Sequence, residues 1–333
     1  MHNKVTWKKG MRLCTKVFNA MDRANEEAFR MVSILGSANR YGLFPSIKPF
    51  ELSVNINGNA LEVTSLCCHG ITKSGCFIDI EYDSNFINTF DSRISIPTGT
   101  EGDAYFLVIR IHEDKLREIN EVLSELCYSF ELVGENSPIS DCCLPIGLLV
   151  NQYGWRMDET DFVPPCLYIT AHPKYIEQWN KARTCAKDLL TKCLMSQNCV
   201  AKSLLSRIWT SSSIMFSRLD KERDTLTPGQ LLSLLQQLIS SFLIGCFADE
   251  YVSLENQDPF ALYVQKTYDA KNIYRDIETG LTLCAEILTK MNAVCTMTEV
   301  QTPVEPPKPI SKPKPVVVEP VKPLRKGWEG LEI

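Results

Sequence analysis

The stretch Trp155-Arg156-Met157-Asp158-Glu159-Thr160-Asp161-Phe162-Val163-Pro164-Pro165-Cys166-Leu167-Tyr168-Ile169 separates two kinds of sequence. Before it, short apolar/polar alternations are divided by turn residues. After it, apolar residues recur at three- and four-residue steps almost to the end. Proline fixes φ and donates no backbone hydrogen bond, so regular structure is expected to break at Pro164 and Pro165. The residue before a proline is pushed toward extended geometry, which suits Val163 and Pro164. The stretch reads as a hinge, centred on Phe162, Pro164 and Pro165, between a β half and an α half.

Upstream of the hinge, residues 124–150 give two or three strands, with breaks expected at Gly134, Pro138 and Pro145. Ala104 to Ile111 is a near-continuous apolar run, suited to a strand buried on both faces. Cys76, Ile78, Ile80 and Tyr82 alternate after a Ser74-Gly75 turn. Phe50, Leu52, Val54 and Ile56 alternate with Glu51, Ser53 and Asn55, and Leu61 and Val63 resume the pattern after Asn57-Gly58-Asn59. That is a hairpin around an Asn-Gly turn. Strands at this spacing predict a β-sandwich or barrel. Nearer the start, Val17, Met21, Ala24, Ala28, Met31 and Leu35 form one helical stripe between Thr15 and Ser37.

Downstream, one helix carries Ile176, Trp179, Ala182, Ala186, Leu189, Leu190 and Cys193. A second carries Leu204, Leu205, Ile208, Trp209, Met215 and Leu219. Thr227-Pro228-Gly229-Gln230 predicts a helix start, with Thr227 as N-cap, proline in the first turn and Gln230 closing a capping box. That helix runs to about Cys246. A last one, starting near Tyr268 or Asp269, carries Ile273, Ile277, Leu281, Cys284, Ile287 and Leu288. Four such stripes are best buried as a bundle. Eight of the 18 prolines then fall between Pro303 and Pro323, interleaved with lysines. Such a segment predicts an extended tail, here ending in the apolar residues Trp328, Leu331 and Ile333. The fold class is α+β: a β-rich shell over 1–170, a helical bundle over 171–298, and a Pro/Lys-rich tail over 299–333.

The net charge of −5 argues against nucleic-acid binding, which needs a basic surface. No secretory signal follows Met1, and the most apolar helix, Leu231 to Phe247, is interrupted by Gln236, Gln237, Ser240 and Ser241. The 14 cysteines show no Cys-x-x-Cys spacing. They read as reduced, mostly buried thiols of a cytosolic protein. No phosphate-binding loop and no nucleophile elbow occur, and no two histidines share metal-ligand spacing. His112-Glu113-Asp114 is the one acid-rich histidine site, placed in a polar turn just past a buried strand. Cys67-Cys68-His69 has the residue types of a nucleophile or ligand site, but inert thiols are far commoner than activated ones. Catalytic, cofactor and metal sites are therefore all assigned none. The tail is read as a tether whose Trp328, Leu331 and Ile333 anchor in a partner.

Three stretches together resemble the TssK family of type VI secretion baseplate proteins. Val5-Thr6-Trp7-Lys8-Lys9-Gly10-Met11-Arg12-Leu13, followed by Phe18 and Asp22-Arg23, is similar to that family's Trp-x-x-Gly-Met-x-Leu opening. Asp161-Phe162-Val163-Pro164-Pro165-Cys166-Leu167 resembles its acidic-Phe-Ile-Pro-Pro-Cys-Leu junction, and Thr227-Pro228-Gly229-Gln230-Leu231-Leu232 its Pro-initiated helix. The similarity spans roughly residues 4–295. It implies a shell similar to the shoulder of phage receptor-binding proteins, a helical neck and a homotrimer. It also implies that the shell engages TssF/TssG-like wedge proteins, with Trp7, Met11, Leu13 and Phe18 in the shell's core or wedge contact. The family's C-terminal domain grips the inner-membrane complex; here the short tail takes its place, a form that suits the Bacteroidetes variant of the system. The resemblance thus implies a cytoplasmic adaptor docked at the inner membrane through partners. The alternatives are a metal-dependent hydrolase using His112, Glu113 and Asp114, or an apolar-ligand carrier on the β scaffold.

Overall fold

The fold is described from a computed structural model for residues 8–9, 11–12, 14–36, 40–83, 92–98, 103–118, 124–196, 199, 201–248 and 258–295. Trp7, Leu13 and the expected tail, with Trp328, Leu331 and Ile333, lie outside these described residues. The long strand β3 (Ala60–Ile71) is the spine of the first sheet. It pairs antiparallel with β2 (Glu51–Asn57), β1 (Gly42–Leu43), β4 (Phe77–Asp83) and β5 (Arg93–Ser95). Asn57 pairs with Ala60, so Gly58 and Asn59 form the two-residue loop, and Gly58 adopts φ +58°. This is the hairpin that the alternation predicts. The second sheet runs in the order β7 (Ser124–Gly134), β6 (Ala104–Glu118), β8 (Cys143–Asn151), β9 (Trp155–Met157).

The pleat explains the continuous apolar run in β6. Leu107, Ile109 and Ile111 share a core with Leu61, Val63 and Ile78 of the first sheet. Phe106 and Val108 point the other way and pack with Leu148 and Phe162. Both faces of β6 are thus covered, and full burial of each such side chain contributes roughly 1.5–3 kcal/mol.

Two expectations about this sheet need correcting. Pro145 does not break β8. It sits where the β6 ladder slips, with Val108 opposite Pro145 and Leu107 opposite Gly147. The bulge takes a residue that has no N–H to offer. His112 is not in a turn either. β6 continues through it to Glu118, pairing His112 with Cys127, with a second irregularity before Leu116.

The double-proline stretch is a packed seam. Phe162 through Cys166 are five consecutive buried residues. Leu43 donates its N–H to Pro165 O (2.7 Å), and Leu167 N–H donates to Leu43 O (2.8 Å). Ile169 N–H donates to Leu226 O (2.9 Å) at the start of the bundle. Two residues without N–H groups leave fewer donors to satisfy when a loop is buried.

Beyond a 3-10 turn at Ile169–Ala171 come α2 (Pro173–Met195), α3 (Lys202–Lys221), α4 (Pro228–Ala248), α5 (Asp258–Val264) and α6 (Ile273–Cys295). Thr227 N–H donates to Gln230 Oε1 (2.9 Å) and Gln230 N–H to Thr227 Oγ1 (3.2 Å), the predicted capping box. The last helix starts at Ile273, later than expected. Asp269 instead ties a turn, accepting from Lys271 N–H (3.1 Å) and Asn272 Nδ2 (2.8 Å). α5 has no clear signal in the sequence. Trp179 is buried and donates Nε1–H to Leu219 O (3.0 Å), but Trp209 is 46% exposed and not part of the core stripe. By length and composition α4 is apolar enough to cross a membrane. In this fold Leu231, Leu234, Leu235, Leu238, Ile239 and Phe242 are buried among neighbouring helices.

At the other end of the chain, α1 (Thr15–Gly36) has no buried residue. Its C-terminal half lies against the Gly75 turn, where a Cβ would meet Arg30 O at 2.8 Å. Met11 (37% exposed) and Phe18 (44%) lie outside the protomer core.

Candidate functional site

Two concavities stand out among the described residues. A groove of about 890 Å³ between α3 and α4 is lined by small polar residues such as Ser203, Thr210, Ser233 and Gln237. A cleft of about 720 Å³ opens between the two sheets. The cleft has an apolar floor inside a charged rim, the composition that binding sites use.

One wall of the cleft is the inner face of β2. Leu52, Val54 and Ile56 project the same way because side chains alternate along a strand, and all three remain half-buried. The other wall is Ile146 and Gly147 of β8 with Trp155 and Met157 of β9; Phe162 and Pro164 of the seam also contribute. The two walls approach closely at Gly147, where an added side chain would make the ends of Met157 and Leu52 move. A Cβ there would lie 2.3 Å from Met157 Cε and 3.2 Å from Leu52 Cδ2. Trp155 is held by the Tyr105 ring, centroid to centroid 5.6 Å.

The rim is fixed by short-range hydrogen bonds. Asp158 Oδ1 accepts from Thr160 N–H, Thr160 Oγ1–H and Asp161 N–H at 2.9–3.0 Å. Burial alone would raise the Asp158 carboxyl, but these donors outweigh it and its pKa falls below the usual value. His172 caps α2, its Nδ1 accepting from Lys174 N–H (3.2 Å). Burial, then the Lys174 charge, lowers the His172 pKa to about 4, so its imidazole is neutral at pH 7. Lys174 Nζ donates to the carbonyl of Glu159, tying the helix start to the rim.

The structure distributes the sequence-predicted residues unevenly. Phe162 and Pro164 line the cleft, while Pro165 is buried beside it. Met11 and Phe18 are not among its lining residues. Leu52, Val54 and Ile56 read in the sequence as ordinary strand alternation, and Trp155 and Met157 as the opening of the hinge, whereas the structure puts them on β9. Only the opposing sheet decides that they are half covered.

The candidate chemical sites also resolve. His112 Nε2 is hydrogen-bonded to Ser129 Oγ (2.9 Å). Among the described residues no group of three His, Cys, Asp or Glu is placed to hold a metal ion. Cys67 and His69 lie within β3, on one face of the strand. Cys67 Sγ is 3.5 Å from His69 Nε2, and His69 Nδ1 is 2.8 Å from Asp79 Oδ1 on β4. Among the described residues no cysteine is joined in a disulfide.

The described residues thus form two packed sheets followed by a set of helices, with an amphipathic cleft opening between the sheets. TssK chains are among the solved structures that share this architecture. One is a TssK crystal structure, with TM-score 0.61 and 13% identity, covering 86% of this chain and 70% of that one. Another is TssK from the T6SS of EAEC in complex with a nanobody, with TM-score 0.59 and 15% identity, covering 82% and 69%. A third belongs to the TssK-TssF-TssG baseplate subcomplex of the type VI secretion system, with TM-score 0.55 and 16% identity, covering 87% and 99%. No family model and no curated protein matches the sequence. The chain therefore has a TssK-like fold.

Proposed function

We propose that this protein is a structural, non-enzymatic subunit of a type VI secretion baseplate. In this reading it is an adaptor that joins TssF/TssG-like wedge proteins to the membrane-anchored complex. The observation that carries this is the extent of the fold similarity. It spans 82–87% of the chain, so the strand shell, the seam and the helices align together. A shared sandwich alone would say little, because folds host many functions.

On this reading residues 1–170 form the wedge-facing shell and 171–298 the neck of a homotrimer. Residues 299–333, with Trp328, Leu331 and Ile333, form the tether toward the inner-membrane partner, and the protein works in the cytoplasm at that membrane. The inter-sheet cleft takes an apolar segment of the wedge protein. Leu52, Val54 and Ile56 give the floor, and the edge of β2 away from β3, unpaired among the described residues, offers backbone groups to an added strand.

The test is co-expression with the TssF/TssG-like proteins of the same genome. Wild-type protein should co-purify with them. Val54→Glu should remain folded, with some loss of stability because Val54 also packs on the protomer core, and lose the wedge, since a charge would be forced into an apolar contact. Failure of the wild type to capture any wedge protein would sink the baseplate reading. Capture undiminished in the variant would move the contact away from the cleft.

A further inference from the structure

We propose that Cys67 is a base-assisted nucleophilic thiol, served by His69 and Asp79 and open to small neutral or cationic soft electrophiles. The reading is independent of the baseplate role and stands on the outer face of the first sheet.

Cys67 and His69 are two residues apart on β3, so both project to that face. His69 is opposite Asp79 in the β3–β4 ladder. Nδ1 of the imidazole faces the carboxylate at 2.8 Å and Nε2 faces the sulfur at 3.5 Å. A carboxylate accepts only, so Nδ1 carries the hydrogen and Nε2 presents its lone pair to the thiol. This is the tautomer that a general base needs, with a third group orienting it.

The charges around the sulfur set what reacts. Glu51 on β2 and Glu81 on β4 are the residues paired with Cys67 on either side. Lys48, from the loop before β2, is ion-paired with Glu81. Three carboxylates, Glu51, Asp79 and Glu81, thus surround the site with one ammonium. Burial, then Glu81, raises the Cys67 pKa. The thiol is therefore not a standing thiolate, and His69 must take its proton as it reacts. A thiolate from a high-pKa thiol is intrinsically the stronger nucleophile.

In the step, the Cys67 sulfur forms a bond to the electrophilic carbon or sulfur while the leaving group departs with the electrons of the broken bond. The thiol proton passes to His69 Nε2, and Asp79 stabilises the imidazolium. Cys68, the adjacent thiol, faces the opposite side and is fully buried, so it cannot act as a resolving thiol.

The experiment alkylates the full-length protein with iodoacetamide between pH 6 and 9 and reads each cysteine by peptide mass spectrometry. Cys14, which is exposed, serves as the reference, and unreactive Cys68 and Cys166 report an intact fold. Cys67 should outpace Cys14 by about tenfold at pH 7, a modest general-base effect. Asp79→Asn should slow Cys67 several-fold and leave Cys14 alone. The Asp79 side chain is 82% exposed, so this variant keeps the fold. His69→Gln should remove the excess. Cystamine, a cationic disulfide, should modify Cys67 faster than oxidised glutathione, which is anionic. A Cys67 rate at or below that of Cys14, or one that Asp79→Asn leaves unchanged, would reduce the cluster to a cross-strand hydrogen bond and overturn the proposal.

Discussion

Leu43 and Pro165 are joined by a 2.7 Å hydrogen bond from the Leu43 N–H to the Pro165 carbonyl, and Leu43 and Cys166 form a parallel bridge. A two-residue strand at one end of the shell is thereby locked to the double proline 122 positions later. The same contact makes Gly42 obligatory. Its φ is +138°, and a Cβ there would lie 2.2 Å from Pro165 O. Gly42→Ala should destabilise by on the order of 2–4 kcal/mol in urea unfolding, since strain and a backbone clash add. Gly58, also at positive φ, has open space around it. Gly58→Asn should cost well under about 1 kcal/mol, because asparagine tolerates that conformation. Equal costs at the two positions would show that the seam is not the tight contact described.

The capping box gives a second expectation. Thr227→Ala removes the acceptor for Gln230 N–H at the head of α4, a helix whose apolar side chains dominate the bundle core. The loss should be about 1 kcal/mol by thermal or urea unfolding. Thr227→Ser should restore most of it, as serine keeps the hydroxyl.

His172 ties stability to pH. Its folded pKa, about 4, lies below its ordinary 6.5, so the unfolded chain takes the proton first as pH falls. Its contribution is fully present above pH 6.5 and is lost progressively toward pH 4. By linkage the loss between pH 7 and pH 5 is on the order of 1–2 kcal/mol. His172→Asn keeps a good N-cap acceptor and does not titrate, so the stability of that variant should fall less over this interval. Parallel curves for the two proteins would mean that other groups control the acid limb.

The exposed face of α1 separates core from contact. Phe18 lies 44% exposed in a helix without buried residues. Phe18→Ala should leave the unfolding free energy of the isolated protomer within about 0.5 kcal/mol of the wild type. If α1 belongs to the wedge contact, the same variant should weaken wedge capture in pull-down. A large loss of stability would instead place Phe18 in an internal contact.

Much of this architecture was legible in the residue pattern. Period-two alternation from Phe50 to Val63 fixed a hairpin, because a strand with one buried face must alternate. Thr227-Pro228-Gly229-Gln230 fixed a helix start, because its bonds are local. The double proline marked a change of structure for the same reason: φ restriction and a missing N–H act within the residue. What the pattern could not decide was whether that change is loose or packed. Five buried residues at the seam depend on Leu43 and Leu226, far away in sequence. Likewise the half-covered face of Leu52, Val54 and Ile56, the Cys67–His69–Asp79 alignment and the bareness of α1 depend on which distant strand or helix arrives opposite. Local sequence sets backbone preference and the side on which a residue points; only the assembled fold sets what meets it there.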